Sequence, residues 1–274
     1  MASQYGQEAG RAKKAFWDDG GGFFGRGYME GDNSFEGFLS TNRSLEERTK
    51  IEVAGVIRLL ELKPGESVLD CPCGYGRHAI ALARAGFQVI GSDINREMLA
   101  PALEHSRGLS NIRFVRENMQ DISYQSEIDA VINLFFSFGF FETDEENNDV
   151  VRRFYEALKP GGRFLMHTDV NVPRLLSDRY KFHEVRNLRN GKKLEIVESF
   201  DAEQQRLRGQ WILIDANGTR EPLSPYKHIV YTYDQFAEIC RAVGFDRVEG
   251  YGDWQGSQLR DDSEEMMIVA WKSR

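Results

Sequence analysis

The order of apolar and polar positions divides the chain into a long alternating stretch and a shorter one of different rhythm. From Arg48 to Leu60 the apolar residues Ile51, Val53, Ala54, Ile57 and Leu60 recur at helical spacing, and Lys63-Pro64-Gly65 closes the segment. An alternation of short apolar runs and amphipathic segments then begins. Ser67–Cys71 predicts a strand, His78–Ala85 a helix stopped by Gly86, and Phe87–Asp93 a second strand. Asn95 is placed to cap a helix carrying Met98, Leu99, Ala102 and Leu103, which Gly108 ends. Pro101 lies inside that helix and is expected to kink or shorten it. Strands at Ile112–Arg116 and Ile128–Phe135 follow, then a helix over Asp144–Leu158, a turn at Lys159-Pro160-Gly161-Gly162 and a strand over Arg163–Asp169. Strands alternating with helices of this length predict a parallel sheet covered on both faces.

The rhythm changes after residue 170. Val185–Leu188, Lys193–Phe200, Leu207–Asp215 and Ile229–Tyr231 read as strands, with hairpin signals at Asn190-Gly191 and Asn217-Gly218. This predicts an antiparallel insertion. The first rhythm resumes at Thr232–Val243, opened by the capping-box pair Thr232 and Gln235 and striped by Phe236, Ile239, Cys240 and Val243. Asp246–Tyr251 and Met266–Trp271 then form two strands without a helix between them, which predicts an antiparallel pair. Residues 1–45 are rich in Gly and Phe and show no clear period. They are expected to form an N-terminal arm over the core or over a site. The expected organisation is an arm at 1–45, a Rossmann-like domain from 46–180 and 229–274, and an insertion at 181–228.

Composition removes several classes of function. The 274 residues carry 35 Lys+Arg against 43 Asp+Glu, a formal net charge of −8. An acidic balance disfavours nonspecific binding to nucleic acid or anionic lipid. The basic clusters at Arg179–Lys181 and Arg186–Lys193 are short and read as solvated strand faces. No apolar run is long enough to span a membrane and no secretory signal is visible, so the cytoplasm is the expected compartment. Three cysteines make no disulfide framework, and Cys71-x-Cys73 lacks the spacing and the second pair of a metal site, so no metal is expected.

The most informative stretch is Val68-Leu69-Asp70-Cys71-Pro72-Cys73-Gly74-Tyr75-Gly76-Arg77-His78-Ala79. A strand leads into a two-glycine turn and then a helix, and Asp93 ends the next strand. A carboxylate at that place can accept hydrogen bonds from a ribose diol. The turn alone also satisfies the dinucleotide fingerprint through Gly74, Gly76 and Ala79, so NAD(P) stays open on the turn alone.

These residues resemble a class I S-adenosylmethionine-dependent methyltransferase, small-molecule subgroup, over about residues 45–271. Asp70 to Arg77 resembles the family's first motif, with Asp70, Cys71, Gly74 and Gly76 at the cofactor. The resemblance implies that Asp93 holds the ribose, that Ile94 flanks the adenine, and that Asn118 and Met119 line it. Asn133, Leu134 and Phe135 would face the methionine part. Leu158 to Phe164 matches the turn into the fifth strand, which dehydrogenases lack. Pro72 stands where the family motif has its first glycine.

The implied fold is a seven-stranded α/β sheet with an antiparallel β insertion acting as a lid over the acceptor, between the fifth strand and the last helix. The implied function is methyl transfer from S-adenosyl-L-methionine to an O or N atom of a small molecule by in-line displacement. The alternatives are a nucleic-acid methyltransferase and a non-catalytic cofactor-binding module. Arg48 and Arg77 are candidates for the cofactor's carboxylate. A general base, where the acceptor needs one, is sought among His167, Asp169 and His228. His183 and Tyr226 lie in the same insertion, and the aromatic run Phe135–Phe141 could wall the acceptor pocket. The expected partner is a small-molecule acceptor, with neither nucleic acid nor membrane, for a monomer or homodimer.

Overall fold

The computed structural model describes residues 15–34, 43–188 and 190–274. Helix α1 (Arg26–Ser34) precedes α2 (Leu45–Leu59), which Ser44 and Glu47 start with a reciprocal capping box. Strand and helix then alternate through β1 (Ser67–Asp70), α3 (Arg77–Arg84), β2 (Gln88–Asp93), α4 (Arg96–His105), β3 (Ile112–Arg116), β4 (Ile128–Asn133), α5 (Asp144–Ala157) and β5 (Leu158–Thr168). After the short helix α6 (Val172–Leu175) come β6 (His183–Asn187), β7 (Lys193–Asp201), β8 (Arg206–Ile214), β9 (Arg220–Pro222) and β10 (Tyr226–Ile229). Helix α7 (Tyr233–Val243), β11 (Arg247–Tyr251) and β12 (Met266–Trp271) complete the chain.

Seven strands form one sheet in the order β11-β12-β5-β4-β1-β2-β3. Strands β1 to β5 run parallel, and β12 pairs antiparallel with both β5 and β11. The sheet is apolar on both faces because helices cover both. One layer joins Val150, Val151, Phe154, Phe164 and Phe236, and the other joins Val56, Leu60, Leu82, Val89 and Val269. The order reverses at β1, between β4 and β2, so the crevice opens beyond the carboxyl end of β1. A second, antiparallel sheet runs β10-β8-β7-β6, with β9 also paired to β8. No helix among the described residues is long and apolar enough to cross a membrane.

Several local expectations change. The Lys159–Gly162 turn lies within one continuous β5. There the register against β4 shifts between Ile128 and Ala130, so the extra residues form a bulge rather than a break. Strand β5 stops at Thr168, not Asp169. The Thr168 hydroxyl donates to the Val170 carbonyl at 2.8 Å and accepts from its N–H at 3.0 Å, turning the chain. Strand β4 stops at Asn133, and Phe135 and Phe136 take left-handed φ values of 56° and 62°. The last insertion strand is Tyr226–Ile229 rather than Ile229–Tyr231. Helix α4 runs through Pro101 as one element. In the arm, α1 appears where no period was legible, while residues 1–14 and 35–42 lie outside the described residues.

Candidate functional site: a cleft at the end of β1 and a second chamber

A cleft of about 940 Å³, counting space open to solvent, lies at the carboxyl ends of β1, β2 and β4. Asp70, Cys71, Gly74, Asp93, Ile94, Asn118, Met119 and Phe135 all line it. The turn after β1 is fixed from behind. The Asp93 carboxylate accepts the Gly74 N–H at 2.9 Å and the Asn95 N–H at 2.8 Å, so the acid of β2 holds the glycine turn of β1. Burial raises the Asp93 carboxyl to about 6. Burial lifts Asp70 further, to about 8, and its Oδ2 has no hydrogen-bond partner among the described residues. Cys71 and Cys73 are buried free thiols, held well above their ordinary pKa by desolvation.

Three of the expected cofactor residues stand behind the wall. Gly76 starts α3 with φ 76°, and a Cβ there would meet Ala102 Cβ at 2.8 Å and Phe114 Cζ at 2.9 Å. Its glycine lets α3 pack against its neighbours. Asn133 is buried and donates to the Cys71 carbonyl at 2.9 Å, steadying the turn. Arg48 is buried beside Glu52, 3.6 Å from its carboxylate, and lies over the Phe135 ring. Arg77 does line the cleft. Its guanidinium donates to Thr49 Oγ1 at 2.9 Å and to Glu52, and it sits 4.4 Å from the Phe135 ring centroid. Glu52 also meets His78 Nε2 at 2.9 Å. The charges around Glu52 hold its carboxyl far below the usual range despite burial, while burial lowers His78 to about 4.

The arm closes one side of the cleft. Trp17, Phe24, Tyr28 and Asp32 belong to the lining. The Asn95 side chain donates to the Phe24 carbonyl at 3.1 Å, Arg116 pairs with Asp19 at 2.7 Å, and the Tyr75 hydroxyl donates to Asp32. Sequence reasoning named an arm but not these contacts. Their partners lie 43 to 97 residues apart, and no local pattern marks them.

A second chamber lies between the cleft and the antiparallel sheet, enclosing about 1520 Å³ with its open mouth. Phe24, Tyr28, Asp32, Phe135 and Phe140 line both spaces. Asp169 and His228 line the chamber, as do Arg179, Lys181 and Arg186, so these basic residues face a concavity rather than a plain strand surface. His228 is fully buried, and neither ring nitrogen has a partner among the described residues. Burial holds its pKa well below the usual histidine range. His167 is not brought to either lining. Its Nδ1 accepts the Phe135 N–H at 3.2 Å, its carbonyl accepts the Phe136 N–H at 3.2 Å, and its Nε2 faces Glu265 at 3.2 Å. It props the left-handed turn after β4. His183 is exposed and pairs with Glu195.

The fold and the cleft define a Rossmann-like α/β protein with an open cleft at its topological switch point, the place where such sheets take their ligands. Comparison with known proteins agrees. Residues 68–162 match the methyltransferase domain family. The chain is 28% identical over 241 residues to phosphoethanolamine N-methyltransferase 3 of Arabidopsis thaliana, covering 87% of this chain and 44% of that protein. It is 28% identical over 229 residues to glycine/sarcosine N-methyltransferase of Aphanothece halophytica, covering 82% and 83%.

Among solved structures, the CcbJ methyltransferase of Streptomyces caelestis superposes with a TM-score of 0.71 at 19% identity, over 82% of this chain and 90% of that one. S-adenosylmethionine-bound CalS10, an amino pentose methyltransferase of Micromonospora echinaspora, gives 0.63 at 22%, over 84% and 92%. The chain is thus similar over most of its length to small-molecule N-methyltransferases, carries a methyltransferase domain at residues 68–162, and has the fold of S-adenosylmethionine-dependent methyltransferases of known structure.

Proposed function

We propose that the chain moves the methyl group of S-adenosylmethionine onto a nitrogen atom of a small molecule held in the second chamber. The observation that carries this is the shared wall: five residues line both spaces, so a group in the chamber can face a group in the cleft. When bound, the cofactor supplies a methyl carbon already activated on a sulfonium. The protein's part is to bring the acceptor atom into line and to exclude water. Nitrogen is favoured because both relatives named above are N-methyltransferases, and because Asp32, Asp169 and Glu198 offer carboxylates to an amine in a chamber that Arg174, Arg179, Lys181 and Arg186 also line. An amine that reaches the methyl carbon unprotonated needs no base.

The cleft's residues suit the cofactor. The unpartnered Oδ2 of Asp70 is a fit for the ammonium of the methionine part. Asp93, whose two oxygens already take backbone donors, keeps acceptor capacity for the ribose hydroxyls. Ile94, Asn118 and Met119 flank the adenine in this reading, and Arg77 rather than Arg48 serves the carboxylate end. Asp169 and His228 are assigned to the acceptor, and His167 to holding Phe135 and Phe136 in place. The buried free cysteines accord with a reducing compartment such as the cytoplasm.

The test is transfer of labelled methyl from S-adenosylmethionine to matched pairs of small amines and alcohols of the same skeleton. Label is expected in amines and not in their alcohols. Transfer to the alcohols alone would replace the nitrogen assignment with oxygen.

A further inference from the structure

Glu198 on β7 is a carboxylate in the chamber wall whose hydrogen-bond partners are uncharged. Its Oε2 accepts the Tyr180 hydroxyl at 2.6 Å and its Oε1 accepts the Tyr226 hydroxyl. Phenols satisfy hydrogen bonds but supply no positive charge. Among the described residues no Lys, Arg or His forms an ion pair with Glu198 or with Asp169, the other acid beside it. The chamber's cations hydrogen-bond to other groups: Arg174 donates to the carbonyls of Asp169 and Glu264 at 2.7 and 3.1 Å, Arg179 to that of Asp262 at 3.2 Å, and Arg186 to Glu184 at 2.8 Å, so that Arg186 bears on Glu198 only at longer range, and Lys181 lines the same chamber. Keeping a half-buried carboxylate without a direct ion pair costs stability, and a ligand that brings a cation into contact recovers it. Aromatic side chains line the same chamber: the Tyr226 ring lies 4.6 Å from Phe23, and Trp211 lies 5.6 Å from Phe23. Such rings favour a cation over a neutral group of the same size.

We propose that Glu198, held by Tyr180 and Tyr226, is a cation subsite, and that the acceptor carries a positively charged amino or quaternary ammonium group apart from the nitrogen that is methylated. The separation follows from placement. Glu198, Tyr180, Tyr226 and Trp211 line the chamber but not the cofactor cleft. This rests on the reading of the chamber as the acceptor site.

The test is calorimetric titration of the whole protein, loaded with S-adenosylhomocysteine, with tetramethylammonium chloride, sodium acetate and tert-butanol. Saturable binding of tetramethylammonium alone is expected. Glu198→Gln, which keeps the shape and loses the charge, should weaken it at least tenfold while leaving S-adenosylhomocysteine affinity unchanged. Tyr180→Phe, which keeps the charge, should weaken it less than threefold. Equal affinity in Glu198→Gln, equal losses in the two variants, or binding of acetate or tert-butanol as tight as that of tetramethylammonium would overturn the subsite. Failure of S-adenosylhomocysteine to bind the native chain would instead overturn the cofactor reading.

Discussion

The cleft and the chamber meet at five side chains, yet they are built in different ways. The floor of the cleft is made by one short stretch of chain, Asp70 to Arg77, and by the acid that ends the neighbouring strand, with the backbone fixing its shape, while the arm and the loops after β3 and β4 supply its sides. The chamber is made by side chains from the arm, the loop after β4, the turn after β5 and the antiparallel sheet. Burial acts alike on the charges of both: it raises Asp70 and Asp93 and lowers His78 in the cleft, and it raises Glu198 and lowers His228 in the chamber. A site for an invariable cofactor can be written into a local motif. A site for a particular acceptor draws on parts of the chain far apart in sequence, which can vary without disturbing the first.

The largest effect that would break this contrast is at Asp70. Its carboxyl ordinarily titrates near 3.8 and in the fold near 8. The folded state therefore binds the proton more tightly than the unfolded chain. Stability is greatest below pH 3.8 as far as this group is concerned, and falls as pH rises towards 8. Asp70→Asn removes the buried charge. It should stabilise the cofactor-free protein at pH 9 by on the order of 3 kcal/mol, and change little at pH 4. The same variant should bind S-adenosylhomocysteine more weakly. Thermal unfolding at the two pH values checks the first effect, and equal shifts at both would show that Asp70 is not the charge concerned.

Asp93 sharpens the comparison from the ligand's side. Asp93→Ala removes a carboxylate that holds the Gly74 and Asn95 N–H groups and is assigned to the ribose. Hydrogen bonds to a charged group contribute roughly 1.5–3 kcal/mol. S-adenosylhomocysteine affinity should fall by about that much in calorimetry, and undiminished affinity would remove Asp93 from the ribose.

This difference in construction also decides what the sequence could tell. The order of strands and helices, the glycine turn and Asp93 were legible because each rests on neighbours a few residues away. The second sheet was legible as an antiparallel insertion because its hairpins carry Asn-Gly turns, although the three residues of β9 leave too short a pattern to find. The sequence favours Arg48 over Arg77, because the first turn of a helix can point a side chain outward, yet it is Arg77 that lines the cleft and Arg48 that does not. His167 looked like a base because β5 carries it to the right end of the sheet. Only the fold reveals that both its nitrogens and its carbonyl are engaged, with Phe135, Phe136 and Glu265. Glu198 gave no signal at all, because its two tyrosines lie 18 and 28 residues away.

The smallest expected effect tests the chamber's half of the contrast. His228 is neutral in the fold because desolvation lowers its pKa well below 6.5, while in the unfolded chain it titrates near its ordinary value. Below pH 6.5 the unfolded chain therefore takes up a proton that the folded one refuses, and stability falls as the solution is acidified. The slope for one such group is about 1.4 kcal/mol per pH unit. His78, lowered to about 4 by burial beside Arg77, adds a second slope of the same sign between 6.5 and 4. His228→Gln should remove only its own share. Between pH 6.5 and 5, the unfolding free energy of the variant should fall about half as steeply as that of the native chain, once the carboxylate contributions common to both are subtracted. Parallel curves would mean that His228 already exchanges its proton with solvent in the folded protein, and the chamber would then be wetter than its lining of rings implies.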